Sequence, residues 1–419
     1  MNNIILLIVF ISIGFSQATS LALYGIGEEL QDTDPASLAL GNCSFFPGNS
    51  KNISSGSPSS IWKSALTRYT IHTGMNYLYA SLFSQQFQHN LTHFSLTFPI
   101  GNKKAFGFGL QPAFRTNRLE IEEDFQYSAN ANGKNIAYKN HYYIDGGISK
   151  ILLQYSWKTN SNFSFGVQYS FLFGNQFIDD KLYTYEVEID TIESNGTIIS
   201  EIVDSENTYF IHPIYGELIN VKKTHKYAGS EIVFEGRYAT SNYEWVSRLG
   251  MNGVTKVKTE DNFSVDSESM SKAIISEIAF GYHYKTSNNS GVIMELQINY
   301  PFNIPKTVAI FNTSPPHENS IHLGTYYQIA NPKFGFWNNL NLRSGGYLKE
   351  LDFIGEKYID YGFTFGLGLE YLSNTQTFDV ALRIGNRESY ILHDHYERYM
   401  SLHFGIMTGE KWFMKRRRK

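Results

Sequence analysis

Between Phe363 and Tyr371 the chain alternates: Phe363, Phe365, Leu367, Leu369 and Tyr371 occupy one set of positions, and Thr364, Gly366, Gly368 and Glu370 the other. Successive side chains of a strand point to opposite faces, so this is a β-strand with one apolar face. The pattern returns after the polar break Ser373 to Gln376, where Phe378, Val380, Leu382 and Ile384 alternate with Asp379, Ala381, Arg383 and Gly385. It returns again where Leu402, Phe404 and Ile406 alternate with Ser401, His403 and Gly405. Repeats of this kind restrict the chain to an all-β fold made of antiparallel hairpins.

Alternation alone leaves two media for the apolar face. In a soluble sandwich it would be the core, and in a membrane barrel it would meet lipid while the polar face lines a lumen. The barrel fits better. The segments run for about 9 to 13 residues, the span of a tilted transmembrane strand, whereas globular strands centre on about 5 to 6. The polar face also mixes glycine with the full charges Glu370, Asp379 and Arg383, as a wet but crowded interior requires, which makes these three the candidate lumen polar groups.

Within 419 residues of which 16% are aromatic, one large closed barrel accounts for the length as a single domain. Residues 1–18 read as a secretory signal peptide: Ile4 to Phe15 is largely apolar, and Ser16, Gln17 and Ala18 form a small-x-small cleavage pattern. No later stretch approaches the about 18 apolar residues of a membrane helix. Cys43 is the sole cysteine, so no intramolecular disulfide supports the fold. A secreted, disulfide-free, strand-rich chain points to the bacterial outer membrane. The formal charge of -4 leaves no nucleic-acid footprint, and the basic tail at 414–419 reads as a solvated periplasmic end.

Residues 19–64 show little alternation but carry apolar clusters, among them Leu38, Leu40, Phe45 and Phe46. Such clusters need a dry place, so this stretch is expected to form an N-terminal plug, and residues 65–413 the barrel. Strands are expected over Thr67 to Ser81, Leu91 to Ile100, Ala105 to Thr116, Tyr143 to Trp157, Phe163 to Phe173 and Lys226 to Ala239. They continue over Tyr243 to Gly253, Ala273 to Tyr284, Gly291 to Tyr300, Ile321 to Ile329 and Trp337 to Tyr347, followed by the three C-terminal segments. The count is about fourteen, even as bacterial single-chain barrels require, and short turns alternate with long loops. The longest excursion, Gly174 to Lys223, is acidic and rich in Tyr and Ile, and is expected to hold a hairpin of its own.

The hairpin Phe94 to Pro112, the segment Gly146 to Tyr155, the Gly-rich strand Phe363 to Leu369 and the ending Leu402 to Phe413 resemble the long-chain fatty acid transporter (FadL-like) family of outer-membrane proteins, in a divergent branch. The resemblance implies a monomeric barrel closed by an N-terminal hatch, which takes up hydrophobic, fatty-acid-like molecules by passive diffusion as the hatch moves. The Asn-Pro-Ala element common near the hatch junction is replaced by Ser57-Pro58-Ser59-Ser60-Ile61-Trp62, and a basic tail follows the last strand.

On this reading Leu38, Leu40, Phe45 and Phe46 are candidate ligand contacts of the plug, and burial of a ligand chain there supplies roughly 0.8 kcal/mol per methylene. The same residues could equally be packing that seals the barrel. The expected partners are outer-membrane lipids, a hydrophobic small molecule and the outer-membrane assembly machinery during insertion. No cofactor, metal or catalytic residue is expected. Two competitors stand beside uptake. One is a non-transport accessory or secretion/assembly barrel acting through Gly174 to Lys223. The other is a lipid hydrolase using His93 and Ser95, two apart on one strand face, although the Ser-Asn-Gly element that should follow is missing. His393, Asp394 and His395 read as a solvated loop, not a metal site.

Overall fold

A computed structural model describes residues 28–29, 34–47, 53–54, 56–80, 86–115, 119–122, 126–129, 135–190, 200–203, 208–262, 267–270, 274–300, 317–330, 337–353, 356–371, 375–389 and 396–410. The expected signal peptide, the basic tail and the loop residues His393, Asp394 and His395 lie outside the described residues.

Fourteen strands pair antiparallel into a closed ring. They are β1 (Thr67–Ala80), β2 (Gln86–Pro99), β3 (Lys104–Arg115), β4 (Asn135–Lys158), β5 (Phe163–Asp190), β6 (Thr208–Ala239) and β7 (Tyr243–Asn252), then β8 (Ile274–Ser287), β9 (Ser290–Asn299), β10 (His317–Ala330), β11 (Trp337–Phe353), β12 (Glu356–Tyr371), β13 (Gln376–Ser389) and β14 (Tyr396–Glu410). Each strand pairs with the next, and β1 closes the ring on β14, with Thr67 opposite Glu410 and Ala80 opposite Glu397. Every strand expected from alternation is present in its place and order. Short connections gather at one end of the ring, where Gly101 adopts the positive φ of 71° that its tight turn needs. The barrel's first and last residues share this turn end, and the longer connections define the loop end.

The outer face is apolar, with Phe363, Phe365 and Leu367 exposed by 67%, 52% and 51%. A soluble sandwich would have buried them. Rings collect on the outer face near the turn end, where Trp157 stacks on Tyr155 and Phe165, and Trp245 lies 4.3 Å from Tyr282. This is the aromatic girdle expected at a membrane boundary. Facing inward, Thr364, Glu370, Asp379, Ser401 and His403 are buried. Among the described residues no helix is long and apolar enough to cross a membrane.

Two departures from regularity matter. β4, β5 and β6 are 24, 28 and 32 residues long, well beyond the about 9 to 11 needed to cross a bilayer. The stretch from Gly174 to Lys223 does hold a hairpin, but one continuous with the wall: β5 runs on to Asp190 and β6 begins at Thr208, still paired at Phe210 with Asp190. Short strands such as Ser200–Val203 and Lys256–Asp261 widen this sheet along β6. Alternation hid the extension because a strand with water on both faces needs no apolar side.

The second departure is a parting of the wall. β2 pairs with β3 only from Phe94 to Pro99, opposite Leu110 to Ala105. Beyond that point β3 bulges at Pro112, which has no N–H to donate. Its backbone at Phe114 and Arg115 pairs instead with the short strand Glu28–Glu29. An arginine placed at Phe365, midway along the outer face of β12, should destabilise the folded barrel by about 2–4 kcal/mol in lipid vesicles. The same change at Ile219, exposed on the loop-end extension, should cost under about 0.5 kcal/mol. Urea titration of both variants checks the assignment of membrane and water.

Candidate functional site

Residues 34–47 and 56–64 touch the polar face of strands all round the ring, which places them inside it. The segment opens with the one-turn helix α1 (Pro35–Leu38), capped by Asp34, whose Oδ1 accepts from Ala36 N at 3.1 Å. It continues through a turn to Phe46 and ends in a short 3-10 helix, Pro58–Lys63. It rests on bare glycines of the wall: the backbone of Leu40 on Gly324, of Gly41 on Gly345 and of Ser59 on Gly166, and the side chains of Pro35 on Gly405, Ala39 on Gly366 and Phe45 on Gly281. A side chain at any of these six would collide with the inner segment. The glycines that alternate along the strands are thus its seats.

Charges on β6 to β9 complete the attachment. Glu235 accepts from the hydroxyls of Ser57 and Ser59 and from Ser59 N at 3.2 Å, while Arg248 clasps its other oxygen at 2.7 and 3.0 Å. Arg237 donates to Phe45 O at 2.9 Å, Ser57 Oγ at 2.6 Å and Ser59 Oγ at 2.9 Å, and also bonds Glu244. Lys63 reaches Glu244 at 2.8 Å. Glu295 accepts from Ser44 N and Phe45 N at 2.7 and 2.8 Å. The Arg248 guanidinium lies 4.5 Å from the Phe45 ring centre. On the opposite wall, His322 Nδ1 donates to Gly41 O at 2.6 Å, and Thr364 Oγ1 accepts from Gly41 N at 2.8 Å.

The four expected plug contacts all face the wall. Leu38 packs with Ala39 and Ala381, and Leu40, Phe45 and Phe46 pack with Val246, Ala279, Ile293 and Tyr326. Glu370, Asp379 and Arg383 all lie on β12 and β13, away from this cluster. Glu370 accepts from Gln328, Asn339 and Asn341, Asp379 from Arg343 at 2.6 Å, and Arg383 donates to Ser401 at 3.2 Å beside the Tyr399 ring. Nearby, Arg387 joins Asp360 and Glu397 at 3.0 and 2.7 Å. The Glu235, Arg237, Arg248 and Glu295 set was not singled out from the sequence. Its signal was present as charges two apart on strands long enough to cross a bilayer.

Space inside the ring is divided by the segment. On the loop side a cavity of about 90 Å³ is lined mainly by amides and charges, including Gln111, Lys150, Glu231, Arg248 and Asn299. On the turn side a cavity of about 700 Å³ lies beneath Phe46 and Trp62. Of the hydrolase pair, the His93 ring stacks 5.1 Å from His72 and its Nδ1 bonds Gln111 at 2.7 Å. Among the described residues no group of three or more His, Cys, Asp or Glu is placed to hold a metal ion.

Removing one partner of a buried ion pair costs about 3–5 kcal/mol, because the other charge stays behind unpaired. Glu235→Ala removes the acceptor of Ser57 and Ser59 and the nearer carboxylate of Arg248, leaving Arg248 with Glu277 at 3.3 Å and Arg237 with Glu244, and should loosen the inner segment. Cys43 reports on it: it is buried, and burial followed by the nearby Glu295 pushes its thiol pKa well up. The wild type should resist maleimide until denatured, and the variant should label at least about ten-fold faster. Retained heat-modifiable gel mobility would show that its ring is still closed.

A family model described as BamG matches residues 1–419. No curated protein matches the chain. Among solved structures, a Pseudomonas aeruginosa FadL homologue aligns over 91% of this chain and 98% of its own at 9% identity, with a TM-score of 0.54. The CymD monoaromatic hydrocarbon channel aligns over 95% and 100% at 10% identity, with a TM-score of 0.52. At such identities the likeness is one of fold. One is described as a homologue of FadL and the other as a monoaromatic hydrocarbon channel, and the shared fold is that of a membrane barrel.

Proposed function

The chain belongs to the BamG family, and from that premise we propose that it is a bacterial outer-membrane barrel, closed by its inner segment as a plug, that works through its surfaces as an accessory subunit for outer-membrane secretion or assembly proteins and not as a pore. The observation that carries this reading is the latch. Glu235, Arg237, Arg248 and Glu295 hold the segment by its own backbone, and the cavity that meets it on the loop side, among the described residues, is about 90 Å³. A fatty acyl chain gains about 0.8 kcal/mol for each methylene it buries in an apolar site. A small cavity lined by amides and charges offers little of that gain. The long sheet of β4, β5 and β6 then becomes the working part, standing beyond the membrane where a partner can reach it.

Uptake of fatty-acid-like molecules by passive diffusion is the second reading, favoured by the parting of β2 from β3. Ala113, Phe114, Ile148, Leu172, Tyr227 and Val257 form an apolar cluster inside the wall, built largely on the strands beyond that parting. A solute entering there would reach Leu38, Leu40, Phe45 and Phe46 only after the latch opens, and Glu370, Asp379 and Arg383 would line its path as fixed polar groups.

Reconstitution separates the two. Intact protein in liposomes should admit labelled oleate or toluene no faster than empty vesicles, whereas deletion of residues 21–56 should open the ring to small solutes. In cells, a photo-crosslinker at Ile219 should give a discrete adduct with an outer-membrane protein. Saturable uptake by the intact protein would overturn the accessory reading in favour of the second.

A further inference from the structure

The turn-side cavity lies against the edge of the latch, sharing Lys63, Arg237 and Glu244 with it, and adds residues that the latch does not use. Its volume of about 700 Å³ falls in the roughly 300–1,000 Å³ range of small-molecule sites. Its charge is lopsided: Lys63, Lys158, Arg237 and Lys285 line it, against the single carboxylate of Glu244. That carboxylate is already engaged by Lys63 and Arg237. Among the described residues neither Lys158 nor Lys285 has a carboxylate partner. Lys158 instead lies 4.6 Å over the Trp62 ring. The indole Nε1 of Trp62 is buried without an acceptor, while His283 Nδ1 faces Glu244 Oε2 at 3.8 Å and its Nε2 bonds the Tyr326 hydroxyl at 3.1 Å.

We propose that this cavity is a binding site for a small organic anion with an aromatic body. Two lysines without counter-charges at the rim of a narrow, low-dielectric opening concentrate positive potential there and draw in an anion. Lys158 is already placed for a cation–π contact, and Trp62, Phe46 and Tyr326 offer flat apolar surface to a second ring. The Trp62 N–H gives the anion an oriented donor once the ring is seated. Carboxylate and phosphate share this chemistry, so an aryl acid and an aryl phosphate are both candidates. The inference goes beyond the accessory reading and stands whether the ring is sealed or conducts, because the cavity is lined by turn-end residues of the strands and the segment beside them.

Full-length protein in detergent, titrated by ¹⁹F NMR with 3-(4-fluorophenyl)propionate, 4-fluorophenyl phosphate and the neutral 3-(4-fluorophenyl)propionamide, tests it. At least one anion should bind saturably below about 10 mM, and the amide about ten-fold more weakly or not at all. The tighter of the two anions assigns the headgroup. Lys158→Ala with Lys285→Ala removes two side chains at strand ends that make no ion pair, and should weaken anion binding about ten-fold. Cys43 should stay protected in that variant, which shows the segment still seated. Trp62→Phe should weaken anion binding several-fold while keeping the ring surface. Equal binding of acid and amide, binding no better than to empty micelles, or an unchanged affinity in the double lysine variant with Cys43 protected would each overturn the site.

Discussion

A ring of fourteen strands encloses more space than its own side chains fill, and whatever faces inward must still be satisfied. In this chain the inward charges of β6 to β9 are satisfied by another stretch of backbone. Glu235 lies between Arg248 and the serines of the 3-10 helix, and Arg237 reaches across to Phe45 O. Pairs of this kind add little net stability over an apolar equivalent, but they are costly to break one side at a time. They therefore fix where the inner segment sits more than how strongly the barrel folds. The glycine seats follow from the same constraint, since the backbone must approach the wall closely for these bonds to form.

The outer surface obeys a different demand. Where lipid touches the ring, each described strand is paired to its neighbours along the wall except where β2 parts from β3, and the outward side chains are apolar or aromatic. Past the membrane boundary the demand lapses, and β4, β5 and β6 continue as strands whose side chains no longer sort into apolar and polar faces. The chain spends its longest elements there. That investment in sheet beyond the membrane, set against a lumen filled by latched backbone, is why a role at the surface accounts for more of the structure than a role in conduction.

Interior polarity also separates this ring from a simple greasy conduit. Glu370, Asp379 and Arg383 are tied to Asn341, Arg343 and Ser401, and Arg387 to Asp360 and Glu397. These groups stiffen the wall of β11 to β14, which also bears part of the segment through Gly345, Gly366 and Gly405. The turn-side cavity is the exception, where Lys158 and Lys285 have no carboxylate partner among the described residues.

The order and number of the strands were legible in the sequence because lipid imposes a local rule. With hydrocarbon on one side and polar contents on the other, each strand states its own period of two without reference to any other part of the chain. That rule placed Phe365 outside and Glu370 inside, and it failed from Gly174 to Lys223, where both faces are wet. The apolar character of Leu38, Leu40, Phe45 and Phe46 declared that they needed shelter, but not whether wall or ligand would give it. Closure of the ring supplied a wall for them, setting Ala381 against Leu38 and Ile293 and Tyr326 among the neighbours of Leu40, Phe45 and Phe46. The latch was out of reach for the same reason: Ser57 and Ser59 meet Glu235 and Arg237 across a separation in sequence that no local pattern spans, and only the geometry of the closed ring brings them together.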